Sequence, residues 1–440
     1  MIQPRTLKGF RDFLPKQALP REELIAAARE VFRSFGFVPI DLPSLELAEI
    51  LLGKGGGDTE KELYRFQDRG KRDVAMRFDL TVPFARFAAQ HIGQLGKPFK
   101  RYHMGTVWRG ENVQRGRYRE FMQCDFDTIG TRSLYSDIEI GLVIDALLRR
   151  LGVERFEIRI NHRQVLAGLL ETLGLEEKTA EMLRALDKLG KIGREKVAAE
   201  MAETAGASEA QSKAVLDFAG LSGQGSELLA KAELAVQGSE RGREGIAQLR
   251  EILAGLAAGG LEAPRLVLDL SIARGLDYYT GTIYESFLSD LPGLGSVCSG
   301  GRYDDLASLY SKEELPGIGA SLGLDRLLAG LEELGLLQKS GSTAPVFVPF
   351  FAKEQGEQYI ALVQQLRRAG IGCEFYPEPK RLGQQLKYAD KRGFRLAVLV
   401  GDDEWASESF QLKDLKTGES EEHALRDLCT VIQQKLEGAA

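Results

Sequence analysis

Apolar positions along the chain fall into four blocks of different rhythm. Residues 21–35 (REELIAAAREVFRSF) place Leu24, Ala27, Ala28, Val31 and Phe35 near helical spacing, and Gly36 follows as a stop. FVPIDLP at 37–43 reads as a strand. Residues 99–130 are rich in β-formers and arginine and predict a hairpin: FKRYHMGTVWRGEN, a loop, then RYREFMQCDFDTIG. DIEIGLVIDALLRR at 137–150 predicts a helix with Asp137 as its cap.

The second block, 166–260, is rich in Ala, Glu, Leu and Lys and predicts short helices separated by Gly and Ser, with nothing catalytic among them. The third, about 264–335, returns to strands in RLVLDLSIARGLDYYTGTIYESFL, then a glycine-rich stretch and an amphipathic helix ending LDRLLAGLEELG. Blocks one and three share a style that block two lacks. The expectation is one domain over 1–335 carrying a helical insertion at 166–260. QKSGSTA at 338–344 reads as a linker. Residues 344–440 then show a βαβαβ rhythm. Tyr359, Leu362, Val363 and Leu366 share one helix face, Leu382, Leu386 and Ala389 another, and Leu425, Leu428, Ile432 and Leu436 a closing one.

Composition changes little at first. The chain has 440 residues, with 58 Lys+Arg against 64 Asp+Glu, a net charge of −6. That length predicts more than one domain. Cys124, Cys298, Cys373 and Cys429 are too far apart for a zinc knuckle or a redox pair, which predicts reduced thiols and no structural zinc. The N-terminus has no leader pattern, and no apolar run reaches the roughly 18 residues of a membrane span. A cytoplasmic protein with no membrane contact is expected.

The average charge hides two basic segments. Residues 97–119 hold Lys97, Lys100, Arg101, Arg109, Arg115, Arg117 and Arg119 against Glu111. Residues 380–395 hold Lys380, Arg381, Lys387, Lys391, Arg392 and Arg395 against Asp390. Each alone fits a solvated face; two of them in an acidic chain point to a phosphate-bearing partner. GKGGGDTEK at 53–61 is not a P-loop, so a nucleotide site must use side chains. Arg109 and Glu111 on one presumed strand, with Arg117, Arg119 and Phe121 on the next, would each share a face. Such a face could hold phosphate, base and exocyclic amine, or could be a cross-strand ladder of ion pairs. Arg274, beside Tyr278 and Tyr279, and Arg326, behind Gly317, Gly319 and Gly323, add further cations at strand–helix junctions.

These residues carry a resemblance. FGFVPIDLPSLE resembles class II motif 1, TVWRGEN with RGRYREFMQCDFD motif 2, and GIGASLGLDRL motif 3. ARGLDYYTGTIYE and SGGRYDDL resemble the histidine signatures of the histidyl-tRNA synthetase family, and KYADKRG its anticodon-binding domain. The resemblance covers essentially the whole length. It implies an α+β fold: a class II antiparallel sheet flanked by helices, a helical insertion, and a C-terminal α/β anticodon-binding domain. It also implies a homodimer, ATP with Mg²⁺, L-histidine and tRNA-His.

By resemblance, Arg109 and Arg274 act on the α-phosphate, and Arg274 also orients the histidine carboxylate. Arg117 and Arg326 meet the outer phosphates, Phe121 and Arg326 sandwich the adenine, and Glu111 contacts its amino group. Asp79, Thr81 and Gln123 hold the substrate ammonium, Asp127 and Tyr279 read the imidazole, and Tyr278 belongs to the same histidine-binding set. Asp79 and Asp127 stand where many bacterial members have Glu. Asn112-Val113-Gln114 replaces the common Arg-Pro-Gln of the loop that meets the tRNA acceptor end. A catalytically silent paralogue would lack the anticodon-type domain and often the arginines, and a sensor fused to other domains would need a longer chain.

Overall fold

A computed structural model of the protein describes residues 1–53, 57–223, 225–273, 278–337 and 341–438. The chain divides into two compact units, residues 1–11 with 24–336, and residues 12–23 with 337–440. Among the described residues no helix is long and apolar enough to cross a membrane.

The first unit is built on strands β1 (Val38–Pro39), β5 (Phe99–Trp108), β6 (Glu120–Ile129), β7 (Phe156–His162), β8 (Leu266–Leu268), β9 (Thr282–Leu288), β10 (Cys298–Arg302) and β11 (Gly317–Gly323). They form one sheet in the order β1-β5-β6-β11-β10-β9-β7-β8. The six central strands pair antiparallel, while β1 joins β5 and β8 joins β7 in parallel. The sheet is therefore mixed, with its antiparallel part in the middle. Strands β2 (Leu45–Leu47), β3 (Arg65–Gln67) and β4 (Asp73–Met76) make a small separate sheet.

The hairpin forms as its β-rich sequence predicts, but its strands end sooner on the side of the connecting loop. β5 stops at Trp108 and β6 starts at Glu120, so Arg109, Glu111, Arg117 and Arg119 lie on the connection. Strand alternation cannot align them there. FVPIDLP gives only the two-residue β1.

The first long helix runs Pro15–Ser34, starting well before its apolar stripe, and buries Phe32 fully while Phe35 falls beyond its end. The next expected helix runs Leu134–Arg150 with Ser133 at its N-cap. Asp137 is not the cap. It is fully buried, ion-paired to Arg302, and accepts the Thr282 hydroxyl at 2.7 Å, which ties the helix to β9 and β10. Between 163 and 258 the described residues form helices joined by turns, and the helix Glu240–Ala258 buries Ile246, Leu249, Ile252 and Leu256.

In the second unit β12 (Val346–Val348), β13 (Cys373–Phe375) and β14 (Leu396–Leu399) run parallel, as the βαβαβ rhythm predicts. An antiparallel hairpin, β15 (Ser409–Asp414) and β16 (Ser420–Ala424), extends the sheet beyond that pattern. Tyr359, Leu362, Val363, Leu366, Leu428 and Ile432 are buried against it. Three cysteines are buried thiols and Cys429 is half-buried.

Candidate active site

The site grows from the register of three neighbouring strands. Gln123, Asp125 and Asp127 alternate along β6 and so share one face. Across β5 they oppose Gly105, His103 and Arg101; across β11 they oppose Gly323, Ser321 and Gly319. The small β11 residues are required by packing. A Cβ on Gly319 would lie 2.0 Å from Asp127 Oδ1, and one on Gly317 would lie 2.3 Å from the Tyr303 ring. Gly323 has no such crowding.

Over this face opens a cavity of about 360 Å³. Asp79, Thr81, Arg109, Glu111, Arg117, Phe121, Gln123, Asp127, Tyr278, Tyr279 and Arg326 all line it. Every residue that the resemblance assigns to histidine or ATP is thus brought together except Arg274, which lies outside the described residues. Tyr303, Ser321, Glu285, Asp325 and Asp187 also line the cavity and were not singled out. Tyr303 follows directly on the Gly-Gly-Arg of a histidine-type signature, a signal that could have found it. Asp187 comes from the helical insertion, where no chemistry was expected.

One group of side chains is acidic and buried. Asp127 forms an ion pair with Arg101 at 2.8 Å and accepts the Tyr303 hydroxyl at 2.6 Å. Asp79 accepts the Val82 amide N–H at 3.1 Å, where the helix Thr81–Leu95 begins, and the Tyr278 hydroxyl at 3.4 Å. Burial raises the Asp79 carboxyl to about 6, opposed chiefly by the Arg109 guanidinium. Burial also raises Asp127, with Arg101 opposing, and raises the Tyr279 hydroxyl. Gln123 donates to Ser321 Oγ at 2.7 Å, leaving its buried Oε1 without a partner among the described residues.

A second group is cationic and half-buried. Arg109 Nε donates to the Phe78 carbonyl at 2.8 Å, which puts its guanidinium 5.3 Å from the Phe121 ring centroid. Arg117 donates to Glu111 at 3.3 Å, so the ion-pair alternative and the shared site coexist. Arg326 donates to the Ser296 carbonyl at 2.5 Å. Asp325, beside it, accepts the Met122 amide at 2.7 Å and pairs with Arg11.

The basic segment 97–119 is not one patch. Lys97 pairs with Glu313, Lys100 with Glu139, Arg101 with Asp127 and Arg115 with Glu333. Arg109 and Arg117 are its cations that line the cavity. In the second unit Lys380, Arg392 and Arg395 have acidic partners, while Lys387 and Lys391 stand exposed on the helix Leu382–Arg392.

Comparison with known proteins agrees with this geometry. A family model of histidyl-tRNA synthetases matches residues 9–327, and one of an anticodon binding domain matches residues 345–435. The histidine–tRNA ligase of Rhodopirellula baltica is 60% identical over 424 residues, 96% of each chain. That of Wolinella succinogenes is 47% identical over 95% of each. The crystal structure of histidyl-tRNA synthetase from Nostoc sp. PCC 7120 superposes with a TM-score of 0.89 at 36% identity, covering 99% of this chain and all of that one. With a cavity of this composition and a match running nearly end to end, the chain belongs to the histidyl-tRNA synthetase family.

Proposed function

We propose that this cavity performs both steps of histidine–tRNA ligation. In the first, the histidine carboxylate attacks the α-phosphorus of ATP, a new O–P bond forms, and pyrophosphate leaves with the electrons of the broken O–P bond. In the second, the terminal ribose hydroxyl of tRNA-His attacks the histidyl carbonyl, loses its proton, and AMP leaves.

The observation that carries this reading is the convergence of buried carboxylates and three arginines on one cavity. Asp79, ionised above about pH 6, is suited to the substrate ammonium with Thr81 and the unpartnered Gln123 oxygen. Asp127 is suited to accept an imidazole N–H, with the Tyr279 and Tyr303 hydroxyls about the same ring. Groups built to pair both imidazole nitrogens are left unpaired by an apolar amino acid, and this discriminates strongly. Charge that develops on the α-phosphate needs preorganised cations. Arg109 supplies one, and Arg274 is assigned the same task by its match to the family motif. Arg117 and Arg326 take the outer phosphates, Phe121 and Arg326 flank the adenine, and Glu111 accepts from its amino group. ATP enters as its Mg²⁺ complex.

The second unit is assigned to the tRNA anticodon, with exposed Lys387 and Lys391 facing phosphates. The exposed loop Asn112-Val113-Gln114 is assigned to the acceptor end. Exposed apolar Leu45, Leu47 and Phe66 on the small sheet support a homodimer, because such side chains gain by burial. A ligase acting on tRNA is placed in the cytoplasm. The test is ATP–pyrophosphate exchange: it should depend on L-histidine, and folded protein without histidine-dependent exchange would overturn the reading.

A further inference from the structure

Asp125 lies between two ligand-facing residues of β6, Gln123 and Asp127, yet does not itself line the cavity. It is 1% exposed, and neither carboxyl oxygen has a well-formed hydrogen bond among the described residues. The buried Arg101 guanidinium is shared unequally, 2.8 Å from Asp127 Oδ2 but 4.0 Å from Asp125 Oδ2. Asp127 has the Tyr303 hydroxyl as a further donor at 2.6 Å; Asp125 has only a weaker approach from the Ser321 hydroxyl. Two carboxylates two residues apart on one strand face, buried around one guanidinium, repel each other. The pair lowers its energy by keeping one proton, and geometry decides where it sits.

We propose that Asp125 is a positioning residue that carries this proton in the working enzyme, so that Arg101 and Tyr303 hold Asp127 alone as the anion that meets the imidazole. This rests on the reading of Asp127 as the imidazole's partner.

The surroundings fit. Across β5, His103 is held neutral, lowered to about 3 by burial and by Arg101 and Arg77. Arg77 is committed to the Leu42 and Thr106 carbonyls. Across β11, Ser321 accepts from Gln123 and offers its own hydroxyl to Asp125, which lowers that carboxyl by less than burial and Asp127 raise it. Cys298, Tyr278 and Tyr279, each raised by burial, are uncharged neighbours, and Asp79 adds a further negative charge. Burial raises Asp125 to about 7, with Arg101 opposing and Asp127 reinforcing. A carboxyl is neutral below its pKa, so the proton is held in mildly acidic solution, half lost near pH 7 and gone on the alkaline side. Once it is lost, Arg101 is divided between two anions and Asp127 loses its fixed aim.

The test uses the full chain and two readouts. Infrared difference spectra of histidine-free wild type minus Asp125→Asn should show a protonated-carboxyl C=O band at mildly acidic pH that fades as pH rises. In histidine-dependent pyrophosphate exchange, the wild-type KM for histidine should rise on the alkaline side by up to about tenfold per pH unit. Asp125→Asn, permanently neutral, should abolish that rise; Asp125→Ser, also neutral, serves if the Asn variant does not fold. Absence of the band, or an alkaline rise that persists in the neutral variant, would overturn the proposal. So would a KM raised equally at every pH, which would mean the ionised group is needed. The infrared result does not depend on catalysis, so it separates failure of this proposal from failure of the functional reading.

Discussion

The two larger sheets of this chain treat polar groups in opposite ways. In the eight-stranded sheet, β5, β6 and β11 bury Arg101, Gln123, Asp125 and Asp127 on one face. In the five-stranded sheet the corresponding interior is apolar, with Val346, Val348, Val398, Phe410 and Ile432 all fully buried, while Lys387 and Lys391 stand outside. Burying charge costs stability unless it is paired, so a protein keeps it only where pairing or a ligand requires it. The first sheet puts its buried polar groups beside the cavity, and the second is built around its own core, with its candidate ligand surface on the exterior.

This contrast can be broken by substitution. The largest effect is expected at Arg101→Ala, which leaves Asp127 and Asp125 buried without their cation. Removing one partner of a buried pair costs about 3–5 kcal/mol. Denaturant unfolding should shift to lower concentration and histidine-dependent exchange should be lost; a stable, active variant would remove Arg101 from its central place. Ile432→Ala, on the helix packed against the apolar sheet, should cost about 2–5 kcal/mol as a cavity forms. It should leave exchange much less affected than charging of tRNA, and equal loss of both would dissolve the contrast.

A pH effect follows from Asp79. Its carboxyl is raised to about 6, so it is ionised above that pH and neutral below. kcat/KM for histidine should fall by about tenfold per pH unit below 6 as the ammonium partner is lost. Asp79→Asn should remove that limb when compared with wild type at each pH, since the titration of histidine itself is common to both. For folding the sign is opposite. A raised carboxyl favours the folded state most below its unfolded pKa, and this contribution is lost as pH rises towards 6.

The smallest stability effect belongs to Lys387→Glu with Lys391→Glu, within about 0.5 kcal/mol for exposed sites. tRNA charging should nevertheless fall more than exchange, and equal losses would mean this helix is not a tRNA surface.

What the sequence made legible follows the same contrast. Apolar spacing marks the long helices, the β5–β6 hairpin and the parallel part of the second sheet, because burial writes a period into the residues. It does not mark β15–β16, where Ser420, Glu421 and Glu422 are exposed and leave no apolar alternation. Arginines count as surface charge until the fold shows how they are used. Arg101 reads as part of a basic patch but is fully buried, and Lys97 and Lys100 are paired away from the cavity. Asp137 looks like a helix cap by position, yet it pairs with Arg302, 165 residues away. The cavity residues came from motif resemblance, not periodicity. Tyr303 stands inside a signature that could have marked it, whereas Asp125 was missed because its surroundings depend on partners across strands that local sequence does not display.

The central claim is that histidine is recognised by an anion held on the sheet face, Asp127. It is tested most directly by calorimetric titration of L-histidine into wild type and Asp127→Asn, without ATP or tRNA. Asn keeps the shape and removes the charge. The account predicts that histidine affinity falls by about a hundredfold or more, close to 3 kcal/mol at 1.4 kcal/mol per tenfold. Equal affinity in the two folded proteins would contradict it.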